Sequence, residues 1–384
     1  MPADRIYYND AYATTFTGIV TAVDGDRVRL DQSAFYPTSG GQQFDTGTLG
    51  GARVVDVVDD GGVVHVLASP PSFAVGATVT GAVDWPRRFD HMQQHTGQHL
   101  LSALFEDMAR APTVSVHFGD ESCTLDVDAL VSRDAAVKVE ARANAVIAEN
   151  RSVTVSFEDA ATAAGLRKAS DRSGELRIVT IDGIDRSACG GTHVRATGEI
   201  GAVLVRRLEK YKSLTRIEFL CGARAVARAR ADYEALTGMA AALTAGIDEL
   251  PKLVASNAES LRELESQRKK LVESLAGYRA AELYADAASG ADGNRRVVTT
   301  GAPDELRALS HAVAAMERVV FVGTCDAPPS VVFAASPDSG VNAGAVLKAA
   351  LAAHGGRGGG NPKVAQGTAP TLDALRAVAA ALAP

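Results

Sequence analysis

Residues 95–105 are His95-Thr96-Gly97-Gln98-His99-Leu100-Leu101-Ser102-Ala103-Leu104-Phe105. The apolar residues at the end of this segment recur at helical spacing, which predicts a helix with His95 and His99 on one face. A second segment, Cys189-Gly190-Gly191-Thr192-His193, again separates two metal-binding side chains by four residues. Its paired glycines disfavour a regular helix and predict a tight turn that brings Cys189 and His193 together.

These four side chains are a ligand set that suits Zn²⁺. Zinc takes imidazole nitrogen at about 2.0–2.1 Å and thiolate sulfur at about 2.3 Å in tetrahedral sites. The chain has only eight His and four Cys in 384 residues. Chance is therefore a poor explanation for two pairs of metal-binding residues at the same spacing. We predict one zinc ion per chain, bound by His95, His99, Cys189 and His193. His91 is a weaker alternative to His99, because we expect it in the first turn of the helix.

Composition limits the class of protein. A chain of 384 residues, 46% of them hydrophobic, predicts two to four domains with cores of their own. The sequence shows no signal peptide and no long apolar run, which predicts a protein without a membrane span. Four scattered Cys favour a reducing, cytoplasmic location.

Charge is distributed unevenly along the chain. A net charge of −7 disfavours binding to nucleic acid, since such binding depends on Lys and Arg at phosphates. Residues 201–234, however, contain eight basic and four acidic side chains. We therefore expect one basic face on an acidic surface, which supports RNA binding modestly, because a charged run is usually only a solvated face.

Residue patterns predict an α+β protein of four domains. Residues 1–83 alternate in β-branched types between turns and predict a small β-barrel, while residues 84–222 predict an α+β domain that carries the zinc site. Residues 223–290 predict a helical linker, in which 250–278 follow a heptad pattern over four heptads. This pattern favours a coiled coil; a helical hairpin packed on its own chain is an equal alternative. Residues 291–384 predict an α/β domain.

Several motifs resemble the editing domain of the alanyl-tRNA synthetase family. The matching strings are Arg88 to Leu101, Cys189 to His193, Thr215-Arg216-Ile217-Glu218-Phe219 and Cys221-Gly222. Phe35 to Gln42 is similar to the glycine motif that precedes that domain, although Thr38-Ser39 replace glycine or acidic residues common there. The tail from Gly355 to Pro362 resembles the C-terminal DHHA1 domain of the same enzymes. No aminoacylation core precedes these motifs, so the chain resembles free-standing editing proteins of the long AlaX type.

The resemblance implies a hydrolase that removes serine, or glycine, from mischarged tRNA(Ala). It implies catalytic roles for Thr96, which is expected to contact the serine hydroxyl, and for Gln42; the alternative role of Thr96 is helix capping or bonding to a backbone carbonyl. Gly40 and Gly41 would let the substrate approach the backbone closely. Arg216 and Arg357 are expected to bind the tRNA. A homodimer through residues 250–278 or the C-terminal domain is compatible with these patterns.

The role of the zinc and the class of function have alternatives. Catalytic zinc usually keeps three protein ligands and a water, whereas four protein ligands describe a closed structural site. A tRNA-binding protein with a purely structural zinc is therefore the main rival. A DHH-type phosphoesterase is disfavoured because the chain has no Asp-His-His string. A threonyl-type editing domain shares the metal ligands, but the glycine motif and the tail favour the alanine system.

Overall fold

The N-terminal part of the chain forms a closed barrel of six antiparallel strands. The computed structural model describes residues 5–168 and 173–382. A short helix, α1 (Ile6–Asn9), precedes the barrel strands β1 (Thr15–Asp24), β2 (Arg27–Leu30), β3 (Gly47–Leu49), β4 (Ala52–Asp59), β5 (Val63–Leu67) and β6 (Thr78–Val83). They close in the order β1-β2-β5-β4-β3-β6. Alternation places Phe16 and Val20 of β1 in the core, and the predicted barrel is confirmed.

The barrel is followed by an α+β layer in the same compact unit, Met1–Met239. Its elements are helices α2 (Trp85–Ala109) and α3 (Arg133–Ala148), a 3₁₀ helix (Thr197–Ile200), and strands β7 (Thr113–Phe118), β8 (Cys123–Val127), β9 (Val153–Asp159), β10 (Glu175–Ile181), β11 (Asp185–Ala188), β12 (Val203–Tyr211) and β13 (Leu214–Cys221). The strands form two antiparallel sheets, β12-β13-β8-β7 and β11-β10-β9.

Helix α2 is the central element of this layer. It begins after Asp84 with Pro86 in its first turn, where the missing N–H of proline costs nothing. Almost every residue from Arg88 to Phe105 is buried, because the helix is packed on several sides. The buried guanidinium of Arg88 pairs with Asp45 next to the barrel and fixes the helix against it.

Two helices follow β13, namely α4 (Gly222–Ala242) and, after a 3₁₀ turn (Ile247–Glu249), α5 (Leu250–Asp286). Residues 250–278 thus belong to one continuous helix. Six of its apolar heptad residues are exposed: Val254, Leu261, Leu264, Leu271, Leu275 and Tyr278. The coiled coil itself stays a prediction. None of the helices among the described residues combines the length and the apolar character that a membrane span requires.

The second compact unit, Ala240–Pro384, contains a five-stranded mixed sheet. Its remaining elements are β14 (Arg295–Thr300), α6 (Pro303–Ala314), β15 (Val319–Asp326), β16 (Pro329–Ala335), a 3₁₀ turn (Pro337–Ser339), α7 (Ala343–Ala353), β17 (Arg357–Gly360), β18 (Val364–Thr368) and α8 (Leu372–Leu382). The sheet order is β14-β15-β16-β18-β17, with β14 and β15 parallel. The glycine-rich tail therefore contributes the edge strand β17.

Candidate metal centre

The four predicted ligands come together in the first unit. One donor atom from each of His95, His99, Cys189 and His193 lies within 4.8 Å of the others. The Sγ atom of Cys189 is 3.4 Å from Nε2 of His95 and 3.4 Å from Nε2 of His193. A tetrahedral centre with the usual Zn–S and Zn–N bonds separates sulfur and nitrogen by about 3.5 Å. The spacing of these atoms therefore fits a zinc ion.

Each of the three imidazoles is oriented by a bond to its other ring nitrogen. Nδ1 of His95 is 2.8 Å from Oε1 of Gln42, and Nδ1 of His99 is 2.8 Å from Oδ2 of Asp185. Nδ1 of His193 is 3.1 Å from Oγ1 of Thr96, on the helix itself. Partners of this kind fix the tautomer and leave Nε2 for a metal. The donor set and its outer partners therefore fit a metal site.

The Cys189–His193 loop depends on a glycine for its close approach to α2. A Cβ atom on Gly191 would lie 2.2 Å from Cε1 and 2.4 Å from Nδ1 of His95, so only glycine leaves room for that ring. The neighbouring Gly190 is less crowded, since its Cβ would come no closer than 3.5 Å to Tyr8. Gly97 has a similar role in α2, where a Cβ would be 2.2 Å from Sγ of Cys221.

Protonation favours metal binding at two of the ligands. Burial raises the pKa of the Cys189 thiol, but the charges and hydrogen bonds of His95 and His193 outweigh it and hold that pKa well below its usual value. Burial and the neighbouring His95 lower the pKa of His193 to about 3. A thiolate and a neutral imidazole are the forms that coordinate zinc.

The pKa of His99 is shifted in the opposite direction to that of His193. Burial lowers its pKa, but hydrogen bonds to Asp185 and Cys189 outweigh this effect and raise the pKa to about 9. Asp185 also accepts a bond from Arg167, whose Nε lies 2.7 Å from Oδ1 of the carboxylate. A metal at Nε2 would therefore displace a proton from His99, which makes metal affinity fall as pH falls.

A cleft of about 430 Å³ opens beside the cluster. His95, His99 and Cys189 form part of its lining, together with Gly40 of the glycine motif and Arg177 of β10. The rest of the lining includes Val114 and Val116 of β7, Leu176 of β10, and Ser187 and Ala188 of β11. Mixed walls of this type suit a small polar group carried by a larger molecule.

The two residues predicted to be catalytic lie behind the cluster. Thr96 is fully buried, and its Oγ1 also accepts a bond from the backbone N–H of Val194. Gln42 is buried as well, and its side chain bonds both the backbone N–H and the hydroxyl of Thr192. Thr96 thus connects the loop of residues 189–193 to α2. Gln42 connects the same loop to the glycine motif.

The other predicted residues are divided between the cleft and distant surfaces. Gly40 lines the cleft, and Gly41 packs where a Cβ would meet the ring of Phe118 at 3.2 Å. Arg216, on β13, makes a two-point ion pair with Asp126 and does not line the cleft.

Two further predictions concern His91 and Arg357. His91 lies in the second turn of α2, because the helix begins at Trp85, and it is outside the group of four candidate ligands. Arg357 is exposed on the edge strand β17 of the second unit.

Three residues of the site were missed in the sequence. Asp185 precedes Cys189 by four residues, which is the same spacing as the ligand pairs and could have drawn attention to it. Tyr8 and Arg177 also line the cleft, but they lie in separate strands or helices with no motif around them. Only the fold brings these two side chains to the site.

Two known domain families match parts of this chain. A family described as "Threonyl and Alanyl tRNA synthetase second additional domain" matches residues 176–218, and the DHHA1 domain matches residues 297–383. The alanine–tRNA ligase of Methanoregula boonei is 32% identical over 400 residues, which cover 97% of this chain and 42% of the ligase. The ligase of Halorubrum lacusprofundi is 33% identical over 402 residues, with 97% and 42% covered.

A shorter relative is also similar. The alanyl-tRNA editing protein AlaX-L of Pyrococcus horikoshii is 33% identical over 240 residues, which cover 59% of this chain and 59% of that protein. The chain spans about two fifths of the length of the ligases, with 42% covered in both cases. The chain is thus homologous to the editing and C-terminal regions of alanyl-tRNA synthetases and to an alanyl-tRNA editing protein.

Proposed function

We propose that this protein hydrolyses the ester bond of tRNA(Ala) that carries serine or glycine instead of alanine. The observation that carries this proposal is the four-ligand cluster at the edge of a cleft, in a chain homologous to an alanyl-tRNA editing protein. A pocket that accepts alanine rejects a near-isostere with one extra hydroxyl only about 10²-fold. For serine, a second, hydrolytic site that hydrogen-bonds this hydroxyl supplies the missing discrimination.

One zinc ion per chain would be held by His95, His99, Cys189 and His193. Bound there, zinc would supply Lewis acidity toward the ester or toward a water molecule. Four protein ligands fill a tetrahedral shell, so catalysis of this kind requires that one ligand loosens. The alternative is that the ion orders the cleft and the end of the tRNA.

Three residues next to the ligand cluster would orient the ligands or contact the substrate. We propose that Thr96 and Gln42 orient the imidazoles of His193 and His95, since both side chains are buried and bonded to those rings. Contact of Thr96 with the substrate hydroxyl stays a prediction that needs movement of the buried side chain. Gly40 lines the cleft and would meet the aminoacyl group directly.

Incubation with seryl-, glycyl- and alanyl-tRNA(Ala) tests the reaction. Free serine or glycine should appear while the alanyl ester survives; equal hydrolysis of all three esters, or of none, rejects the proposal. Cys189→Ala and His95→Ala should lose both zinc and activity, because each removes a ligand. Cys325→Ala and His117→Ala are the matched controls, since neither residue belongs to the cluster.

The rival function is tRNA binding with a purely structural zinc. The complete set of four protein ligands favours it, because such sets describe closed sites. It predicts a protein that binds tRNA(Ala) tightly and leaves the seryl ester intact. Full deacylation by a protein without bound zinc would exclude both this function and a zinc-dependent hydrolase.

We propose that tRNA(Ala) is bound by basic residues outside the cleft as well. Several arginines of the basic residues 201–234 form ion pairs, among them Arg216 with Asp126 and Arg224 with Asp90. Arg357 is exposed. Loss of one phosphate contact lowers the slope of log affinity against log salt by about one unit. Filter binding of Arg216→Ala and Arg357→Ala over a salt series should show this change, and an unaltered slope removes that residue from the interface.

A further inference from the structure

Arg177 is a buried cation that is hydrogen-bonded to the loop of residues 189–193. Its side chain lies on β10 and is 5% exposed. Nη1 donates to the carbonyl oxygens of Cys189 at 2.7 Å and of Gly191 at 2.9 Å. Nε donates to the carbonyl oxygen of Tyr8 at 3.0 Å, and the guanidinium lies 5.5 Å from the centre of the Tyr8 ring. Three neutral acceptors therefore hold this charge in one position.

The charge of Arg177 lacks a carboxylate partner. Arg88 pairs with Asp45, and Arg167 pairs with Asp185. Within residues 5–168 and 173–382, Arg177 makes no ion pair with Asp or Glu. The negative group that acts on it most strongly is the Cys189 thiolate, which is itself a candidate metal ligand. A buried cation without a carboxylate partner is usually completed by another group of opposite sign.

The remaining amino group of Arg177 is available to a ligand. Nη2 donates to no acceptor among the described residues. It is also not among their fully enclosed, unpaired atoms, so a ligand can reach it. Arg177 lines the cleft together with His95, His99 and Cys189. A fixed guanidinium with a free donor, next to the ligand cluster, is the geometry needed to bind an anionic oxygen.

We propose that Arg177 is a catalytic residue whose Nη2 donates to an anionic oxygen of the bound ester, a proposal that rests on the proposed hydrolase function. That oxygen is either the ester carbonyl oxygen, which gains negative charge as water attacks, or a phosphate oxygen of the terminal nucleotide. Hydrolysis forms a bond from the water oxygen to the carbonyl carbon and breaks the bond from that carbon to the ribose oxygen. The ribose oxygen takes up the proton that water releases, and Arg177 keeps its own protons.

Substitution by lysine separates substrate contact from support of the loop. In Arg177→Lys the ammonium can still donate to the carbonyls of Cys189 and Gly191, so zinc content should stay at the wild-type level. The donor directed to the substrate is lost, and kcat/KM for seryl-tRNA(Ala) should fall about 10²-fold. Arg177→Met should lose zinc as well, because the loop carbonyls lose their donor. Arg186→Lys, on the neighbouring strand β11, is the matched control.

A binding measurement identifies the oxygen. The probe is a 3′-serylamino analogue of adenosine, whose amide resists hydrolysis, prepared with and without a 5′-phosphate. If Arg177 binds phosphate, the 5′-phosphate should tighten binding to the wild type and not to Arg177→Lys. If it binds the carbonyl oxygen during attack, both analogues should bind the two proteins equally while kcat falls.

Two results would overturn the proposal. The first is an Arg177→Lys protein with wild-type kcat/KM and wild-type affinity for both analogues. The second is an Arg177→Lys protein that loses zinc in proportion to activity, since the residue then only supports the loop. A wild type that hydrolyses no ester yet binds the 5′-phosphate through Arg177 refutes the hydrolase function and leaves the anion contact standing.

Discussion

Substitution of Gly191 by alanine should dismantle the metal centre without altering any ligand. The new Cβ would lie 2.2 Å from Cε1 and 2.4 Å from Nδ1 of His95, and 3.0 Å from Oε1 of Gln42. An ordinary carbon contact begins near 3.4 Å, so the ring or the loop must shift by roughly 1 Å. Metal–ligand distances tolerate only about 0.2 Å, and loss of outer support alone weakens metal binding about 10–100-fold. We expect zinc affinity to fall by at least that factor.

Competition with a chromophoric zinc chelator gives this affinity directly. Gly190→Ala is the control, because its Cβ would make only an ordinary contact, at 3.5 Å, with Tyr8. Circular dichroism and thermal unfolding of both variants establish that they fold. A folded Gly191→Ala protein that binds zinc as tightly as Gly190→Ala would refute the argument from steric crowding.

Three further predictions address the surrounding structure. Asp185→Ala should lower zinc affinity about 10–100-fold, while the exposed Asp182→Ala should not, and chelator competition compares them. Burial lowers the pKa of His65 to about 4, so its neutral form stabilises the fold above pH 6.5 and this contribution, on the order of 3 kcal/mol, is lost as pH falls from 6.5 to 4. Urea unfolding of wild type and His65→Gln should show a flatter pH dependence in the variant, and parallel curves would contradict this. If the exposed heptad residues form a coiled coil, Leu264→Glu with Leu271→Glu should convert a dimer to a monomer in sedimentation, whereas a monomeric wild type contradicts the coiled coil.

Sequence patterns within a few residues predicted the barrel strands, the central helix and the loop that carries two ligands. Alternation predicted the barrel strands, and the helical spacing around His95 and His99 predicted α2. The turn that joins Cys189 to His193 followed from two glycines. Each of these signals lies within a few residues, which is why the four ligands could be named before the fold was known.

The rest of the site depends on contacts between distant segments. Gln42 reaches His95 from the glycine motif, and Asp185 reaches His99 from a β-hairpin. Thr96 was predicted beside the ligands, but its burial follows from how the loop lies against α2. The edge strand β17 was also missed, because four residues dominated by glycine carry no strand propensity of their own.

The outer partners of the imidazoles come from three separate parts of the first unit. Gln42 extends from the barrel region, Thr96 belongs to the central helix, and Asp185 begins a strand of the three-stranded sheet. Metal affinity therefore depends on the correct packing of all three parts against one another. A mutation far from the cluster that loosens the barrel against the helix would weaken zinc retention before it unfolds the protein, and zinc would in turn raise the cooperativity of unfolding by joining these parts.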